Sequence, residues 1–334
     1  MVALTHVAAR PDGDLLAVSS SEGWVGVWLP IDNRIIATHA LGAFVNKLGW
    51  TFDGAYLLAT VGDELVVLSA DGTTRVATIA TGHGDLRTFA VHPSQSIVAT
   101  TGDDGIVRLW ELPSGVKCGE VLQKRAEGSG GGTALALSDG AIIVGYRNGY
   151  YGTCDPDGSN TGGGQVFGGN VASLALVLPP MKEPRSANFM AGGGRGRLAQ
   201  LLITPEKMMV ADTWSDPPKP IAANTIEFAP DGRFVVACSD DTACLFSNTN
   251  DRAPTRLGNP FWSDRKGWEQ EYIVSAACFV PKTKLVATSH FTGCVKLWRT
   301  DVTYKAPAEV RFEADEVKWN APASWPNLES LDRA

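Results

Sequence analysis

Short apolar runs, each cut by a polar step bearing Gly, Pro or Asp, follow one another along nearly the whole chain. Within the runs apolar and polar positions tend to alternate, as in VRLW at 107–110, which is the period of a half-buried strand and not that of a helix. Three stretches fall into one register: LAVSSSEGWVGVW from Leu16, VATTGDDGIVRLW from Val98 and VATSHFTGCVKLW from Val286. Ala17, Gly23 and Trp28 in the first recur as Ala99, Gly105 and Trp110, and again as Ala287, Gly293 and Trp298. In each copy an apolar run meets a Gly-bearing turn and returns as an alternating strand, the signature of a hairpin.

A second kind of mark, Pro or an Asp-Gly step, closes a further short apolar strand upstream of each hairpin. These marks fall at Pro11, Phe52 (of FDG), Pro93, Ser138 (of SDG), Pro179, Pro230 and Pro281, which are 41 to 51 residues apart. A repeat of about 40–45 residues built from four short strands is a β-propeller blade. Seven marks predict seven blades, with strand a before the mark, b and c forming the hairpin, and d following as in RIIATHA, TRVATIA, VKCGEVLQ and AEVRFEA. A blade alone leaves both sheet faces bare, so neighbours must stack around a channel. The reading is therefore an all-β chain: one seven-bladed propeller of four-stranded antiparallel blades over residues 1–314, with 315–334 as a tail.

At these residues the chain resembles the WD-repeat β-propeller family. The third blade carries the resemblance best, opening with Gly82-His83 and closing strand c with Trp110-Glu111, Glu standing where the family has Asp. The resemblance implies a hydrogen-bonded tetrad of His83, Thr100, Asp104 and Trp110, so that the acidic pair Asp103-Asp104 belongs to a structural turn. Elsewhere the motif decays. The first blade keeps Trp28 with Glu22 at its turn; the seventh keeps Thr288 and Trp298 with Thr292 in place of Asp; in the second and sixth, Leu68 and Phe246 take the Trp position.

Charge and chemistry narrow the function. A formal net charge of −7 repels phosphate backbones, so no nucleic-acid partner is expected. The longest apolar run, Val171 to Leu178, is too short to span a bilayer, and the opening MVALTHVAARPDG lacks a signal peptide's layout, so a cytoplasmic protein without a membrane partner is expected. Six cysteines without a C-x-x-C pair read as buried reduced thiols. The Gly-rich segments contain neither G-x-G-x-x-G nor a Gly-Lys-Ser/Thr step, and AGGGRGR (191–197) reads as the b–c turn of the fifth blade. CDPDGSN (154–160) places Asp155, Asp157 and Ser159 at alternate positions but lacks the Gly and Glu of a calcium loop, leaving an Asp-Gly turn. The five histidines show no zinc spacing. No cofactor, metal or catalytic residue is assigned.

The expected function is a non-catalytic scaffold or adaptor, a monomeric propeller within a hetero-complex that binds partner proteins through its top-face loops. The stretch GNPFWSDRKGWEQEY (258–272) is the prime interface, since Phe261, Trp262, Arg265, Lys266, Trp268 and Tyr272 have the composition of interface hot spots. Trp24 and His290, on neighbouring b–c hairpins, are added to it. The alternative is an enzyme with its site at the mouth of the channel, for which the a strands offer only His6, Lys47, Arg87 and Glu227. Because strand a begins almost at Ala3 while the last blade owns its strand d, ring closure is expected without an interlocking strand, the tail packing at the seam through Trp319 and Trp325.

Overall fold

A computed structural model describes residues 3–30, 34–121, 130–159, 161–177, 186–194, 197–204, 208–215, 223–238, 242–249, 255–258, 274–300, 308–313 and 316–320. These residues form seven antiparallel sheets and no α-helix. The first blade is β1 (Leu4–Ala9), β2 (Leu16–Ser20), β3 (Trp24–Leu29) and β4 (Arg34–Ala40); the second is β5 (Val45–Trp50), β6 (Tyr56–Val61), β7 (Glu64–Ser69) and β8 (Arg75–Ala80). The third comprises β9 (Leu86–Val91), β10 (Ile97–Gly102), β11 (Val107–Glu111) and β12 (Lys117–Val121), and the fourth β13 (Gly132–Leu137), β14 (Ile142–Tyr146), β15 (Tyr150–Cys154) and β16 (Gly162–Gln165). The fifth has β17 (Val171–Leu176), β18 (Ala187–Gly193), β19 (Arg197–Ile203) and β20 (Met208–Ser215); the sixth has β21 (Ala223–Phe228), β22 (Phe234–Cys238), β23 (Thr242–Phe246) and β24 (Thr255–Gly258). The seventh runs β25 (Val274–Val280), β26 (Leu285–His290), β27 (Cys294–Arg299), β28 (Ala308–Glu313) and a fifth strand, β29 (Glu316–Asn320).

The recurrent triplet has a physical cause at each position. Gly23, Gly105 and Gly293 take φ of +79°, +65° and +75°, the left-handed region that the b–c turn demands and that a side chain resists. Ala17, Ala99 and Ala287 are fully buried, and Trp28, Trp110 and Trp298 fill the space between blades. Pairing places each Trp opposite a residue of strand b, Leu16–Trp28, Val98–Trp110 and Val286–Trp298. Leu57–Leu68, Ile142–Cys154 and Phe234–Phe246 occupy the same rung in the second, fourth and sixth blades.

Seven hydrophobic clusters hold the ring, each shared by two consecutive blades. The seam follows the same plan: Leu4, Val7, Leu16, Val18 and Trp28 of the first blade pack with Ala276, Cys278, Val280, Leu285, Ala287, Val295 and Leu297 of the seventh. Among the described residues no strand is exchanged between these two sheets. Closure rests instead on burial, at about 25 cal/mol per Å² of apolar surface. β29 pairs along β28 on the outer edge of the seventh blade and lies beside β4 of the first. The side chain of Trp319, and Trp325 altogether, lie outside the described residues.

Two readings from the sequence are corrected by packing. Cys154, Cys244, Cys278 and Cys294 are buried, but Cys118 is exposed on the outer strand β12, where one face of the blade meets solvent. The AGGG run of the fifth blade is mostly strand: Gly192 and Gly193 belong to β18, where a Cβ on Gly192 would strike the Ser173 hydroxyl and one on Gly193 the Phe167 ring. These glycines permit close approach between elements and leave only a short turn.

Candidate functional site

All seven inner strands carry a register shift near their first residues. It skips Thr5 in β1, Asn46 and Lys47 in β5, Arg87 in β9, Thr133 in β13, Ala172 in β17, Asn224 in β21 and Ser275 in β25. A bulge of this kind re-aims the residues it frees from the ladder. Inner strands present an unpaired edge to the next blade, and the freed side chains and their neighbours satisfy it. Asn46 donates to the carbonyl of Leu86 (2.9 Å), Thr133 to that of Val171 (2.7 Å) and Asn224 to that of Val274 (3.1 Å). Ser173 reaches the carbonyl of Ala223 (3.0 Å), while Thr225 accepts the Ala277 N–H (3.2 Å).

Inside this collar lies a cavity of about 830 Å³, lined by the inner strands and by the a–b turns at one mouth. His6, Lys47, Arg87 and Glu227, the four channel candidates of the sequence, all line it. Arg87 is held by Asp103 and Asp85, each at 3.0 Å. Lys47 donates to the Phe89 carbonyl (2.8 Å) with its ammonium over the Phe89 ring, and Glu227 accepts the Phe279 N–H (3.0 Å). Enclosure pushes Lys47 down to about 8, with Glu227 opposing the shift. It pushes Glu227 up to about 7, opposed by the Phe279 N–H and by Lys47. His6 falls to about 3 through burial and the nearby Lys47 charge, so its imidazole is neutral. No cluster of three or more His, Cys, Asp or Glu with metal-holding geometry occurs among the described residues.

The opposite mouth is built from b–c turns braced by d–a connections. Leu41 N–H donates to the Gly23 carbonyl, Asp103 N–H to the Asp85 carbonyl, and Asp63 accepts from Thr81, Gly82 and His83. On this face Phe44 and Phe291 stand 47% and 37% exposed, in the d–a connection after the first blade and in the b–c turn of the seventh. Neither was singled out by sequence, because a lone Phe beside a turn has no pattern that separates surface from core.

The sequence-derived interface divides. Phe261, Trp262, Arg265, Lys266, Trp268 and Tyr272 lie outside the described residues. Trp24 is partly buried against the seam cluster, its ring lying over Gly26. His290 is corrected: it is 1% exposed, and its Nε2 meets the Thr288 hydroxyl at 2.9 Å, while that hydroxyl accepts the Trp298 indole N–H at 2.8 Å. A ring this covered contributes to the blade interior and not to a surface.

In the third blade, His83 donates from Nδ1 to Asp104 (2.8 Å), the Thr100 hydroxyl meets Nε2 (2.9 Å), and Trp110 donates its indole N–H to Thr100 (2.8 Å). Arg108 takes the second Asp104 oxygen at 2.6 Å. Burial alone raises the Asp104 carboxyl, but hydrogen bonds from Arg108, His83 and the Ile106 N–H hold it below its ordinary range. Asp155–Ser159 of the segment CDPDGSN follow β15 in the c–d turn of the fourth blade, with the Ser159 hydroxyl donating to Asp157 (2.6 Å) and Asp155 (3.3 Å).

Comparison with known proteins adds the lineage. Residues 73–111 and 215–247 match the family model of the WD domain, G-beta repeat. Over 43 residues, 13% of this chain, it is 56% identical to the ribosome biogenesis protein erb1 of Neosartorya fischeri, covering 5% of that protein. Over 107 residues, 31% of this chain, it is 25% identical to the meiotic recombination protein rec14 of Schizosaccharomyces pombe, covering 35% of that protein. The matches thus span about a third or less of either relative. With its blades closed into one ring and two of its repeats matched by that model, the chain is a seven-bladed β-propeller carrying WD40 repeats.

Proposed function

We propose that this propeller is a non-catalytic scaffold subunit that holds partner proteins against the face bearing the b–c turns and d–a connections, as a monomer within a hetero-complex. The observation that supports this reading is the pair of exposed phenylalanines, Phe44 and Phe291, set on turns that hydrogen bonds brace, within the arc of the seventh, first and second blades. Apolar anchors on a rigid frame lose little conformational entropy on binding. The aromatic and cationic stretch 258–272 joins the sixth blade to the seventh and extends the same arc in sequence. The names of two relatives, a ribosome biogenesis protein and a meiotic recombination protein, fit a role in assemblies.

The test is affinity purification from native cells, with quantitative mass spectrometry of wild type against Phe44→Ala, Phe291→Ala and Trp268→Ala. Each variant is expected to weaken the recovered partner by about 2 kcal/mol, roughly thirtyfold in Kd, with an unchanged melting temperature. Lowered stability with partners retained overturns the assignment of this face.

A further inference from the structure

The channel holds three polar groups whose bonding capacity the fold does not use up. At the position where Lys47, Ser173 and Thr225 each bond forward to the next inner strand, the first blade has His6, whose Nδ1 is buried without a hydrogen-bond partner. His6 as a whole is only partly buried and lines the cavity, and Nδ1 but not Nε2 is buried without a partner, which points Nε2 toward the channel. A neutral imidazole with a sealed Nδ1 carries its proton at Nε2 and presents a donor to the channel. Lys47 uses one of its three N–H donors on the Phe89 carbonyl, and Glu227 uses Oε1 on the Phe279 N–H.

The placement of these groups selects the ligand. Lys47 belongs to the second blade and Glu227 to the sixth, three steps apart in a ring of seven and so nearly opposite across the cavity. His6, in the first blade, sits next to Lys47 on the shorter arc. The inner strands of the fourth and fifth blades, GTALAL and VASLAL, bring no charge to the other side. The cavity wall thus has donors on the first and second blades and an acceptor on the sixth. On the fourth and fifth, Ala134, Leu135, Ala172 and Leu174 line it with Thr133 and Ser173, whose hydroxyls are taken by backbone carbonyls, while Arg87, Asp231, Arg233 and Lys282 add charge elsewhere on the wall. A ligand with one net charge would leave either Lys47 or Glu227 without a ligand partner, whereas a ligand of zero net charge with separated poles partners both.

We propose that the central channel binds a small zwitterion of the amino-acid class, its carboxylate at His6 Nε2 and Lys47, its ammonium at Glu227, and its apolar side chain along the fourth and fifth blades. This site is independent of the partner-binding face. A buried nitrogen left without a hydrogen-bond partner is destabilising, so His6 is a poor choice for stability alone and a useful one for a ligand.

The experiment titrates common free L-amino acids one at a time into the purified chain by calorimetry, then the deaminated and decarboxylated analogues of the tightest binder. Saturable heat is expected for an apolar amino acid, with each singly charged analogue weaker by tenfold or more. Glu227→Gln should weaken the amino acid and leave its deaminated analogue unchanged. His6→Phe should lose binding of the amino acid while the melting temperature of the free protein holds or rises, since the substitution deletes an unsatisfied buried nitrogen. The proposal falls if no amino acid gives saturable heat, if a singly charged analogue binds as well as the zwitterion, or if His6→Phe binds like wild type.

Discussion

The third and sixth blades fill the same rung in opposite ways. In the third, Trp110 faces Val98 across the hairpin and its indole N–H enters a polar chain through Thr100 and His83 to Asp104. In the sixth, Phe246 faces Phe234, stacked at 4.4 Å between ring centroids, and Phe234 stacks in turn on Phe228 at 4.8 Å. Two residues along strand b from that rung, the third blade has Thr100 and the sixth Val236, side chains of nearly equal shape but opposite polarity. In these two blades the position is filled in both cases, by a connected polar chain in the third and by stacked apolar rings in the sixth. A half-connected network would leave a buried donor unpaired. The family model matches both of these blades, although Phe246 stands at the Trp rung in the sixth.

Substitutions break or sharpen this comparison. Trp110→Ala should have the largest effect, a loss of about 3–5 kcal/mol in denaturant unfolding, because it empties the rung and orphans Thr100 at once; an unchanged midpoint would show that the ring does not depend on this rung. Thr100→Val, which makes the third blade resemble the sixth, should cost about 2 kcal/mol, since the Trp110 N–H and His83 Nε2 both lose their partner. The reciprocal Val236→Thr should cost about 1 kcal/mol by burying a hydroxyl among phenylalanines. A neutral Thr100→Val with a costly Val236→Thr would mean that polarity is penalised everywhere and that the tetrad adds nothing.

The smallest expected effect concerns the channel and is read from pH. The Glu227 carboxyl sits near 7 in the folded protein, above its ordinary 4.5, so the native state binds more protons than the unfolded chain between these values. Its contribution to stability is full below about 4.5 and is lost as pH rises to about 7. Glu227→Gln lacks that loss, and its melting temperature relative to wild type should climb across this window. His6, lowered to about 3, acts with the opposite sign below 6.5, but it is present in both proteins and largely cancels in the difference. A flat difference across the window would show that Glu227 is well solvated.

Much of this was legible in advance where local rules act alone. The b–c turns at Gly23, Gly62, Gly105, Gly149 and Gly293 were readable because their φ angles favour Gly, and the blade period because Pro11, Phe52, Pro93, Ser138, Pro230 and Pro281 each follow the end of an inner strand. Leu68 and Phe246 were placed at the Trp rung by counting residues, and the register agrees. His290 was misplaced because a polar residue beside a turn reads as surface, whereas Thr288 and Trp298 give it partners inside the blade.

The chain by itself determined the number of blades, the hairpins and the residues that fill them, since these follow from alternation, turn chemistry and volume. Only the closed ring decided what surrounds the axis. The bulges in the inner strands answer to pairing that no single strand encodes, and they turn Asn46, Lys47 and Asn224 onto the neighbouring blade. The facing of Lys47 and Glu227, 180 positions apart in the chain, exists because seven sheets close on themselves and bring their first strands together.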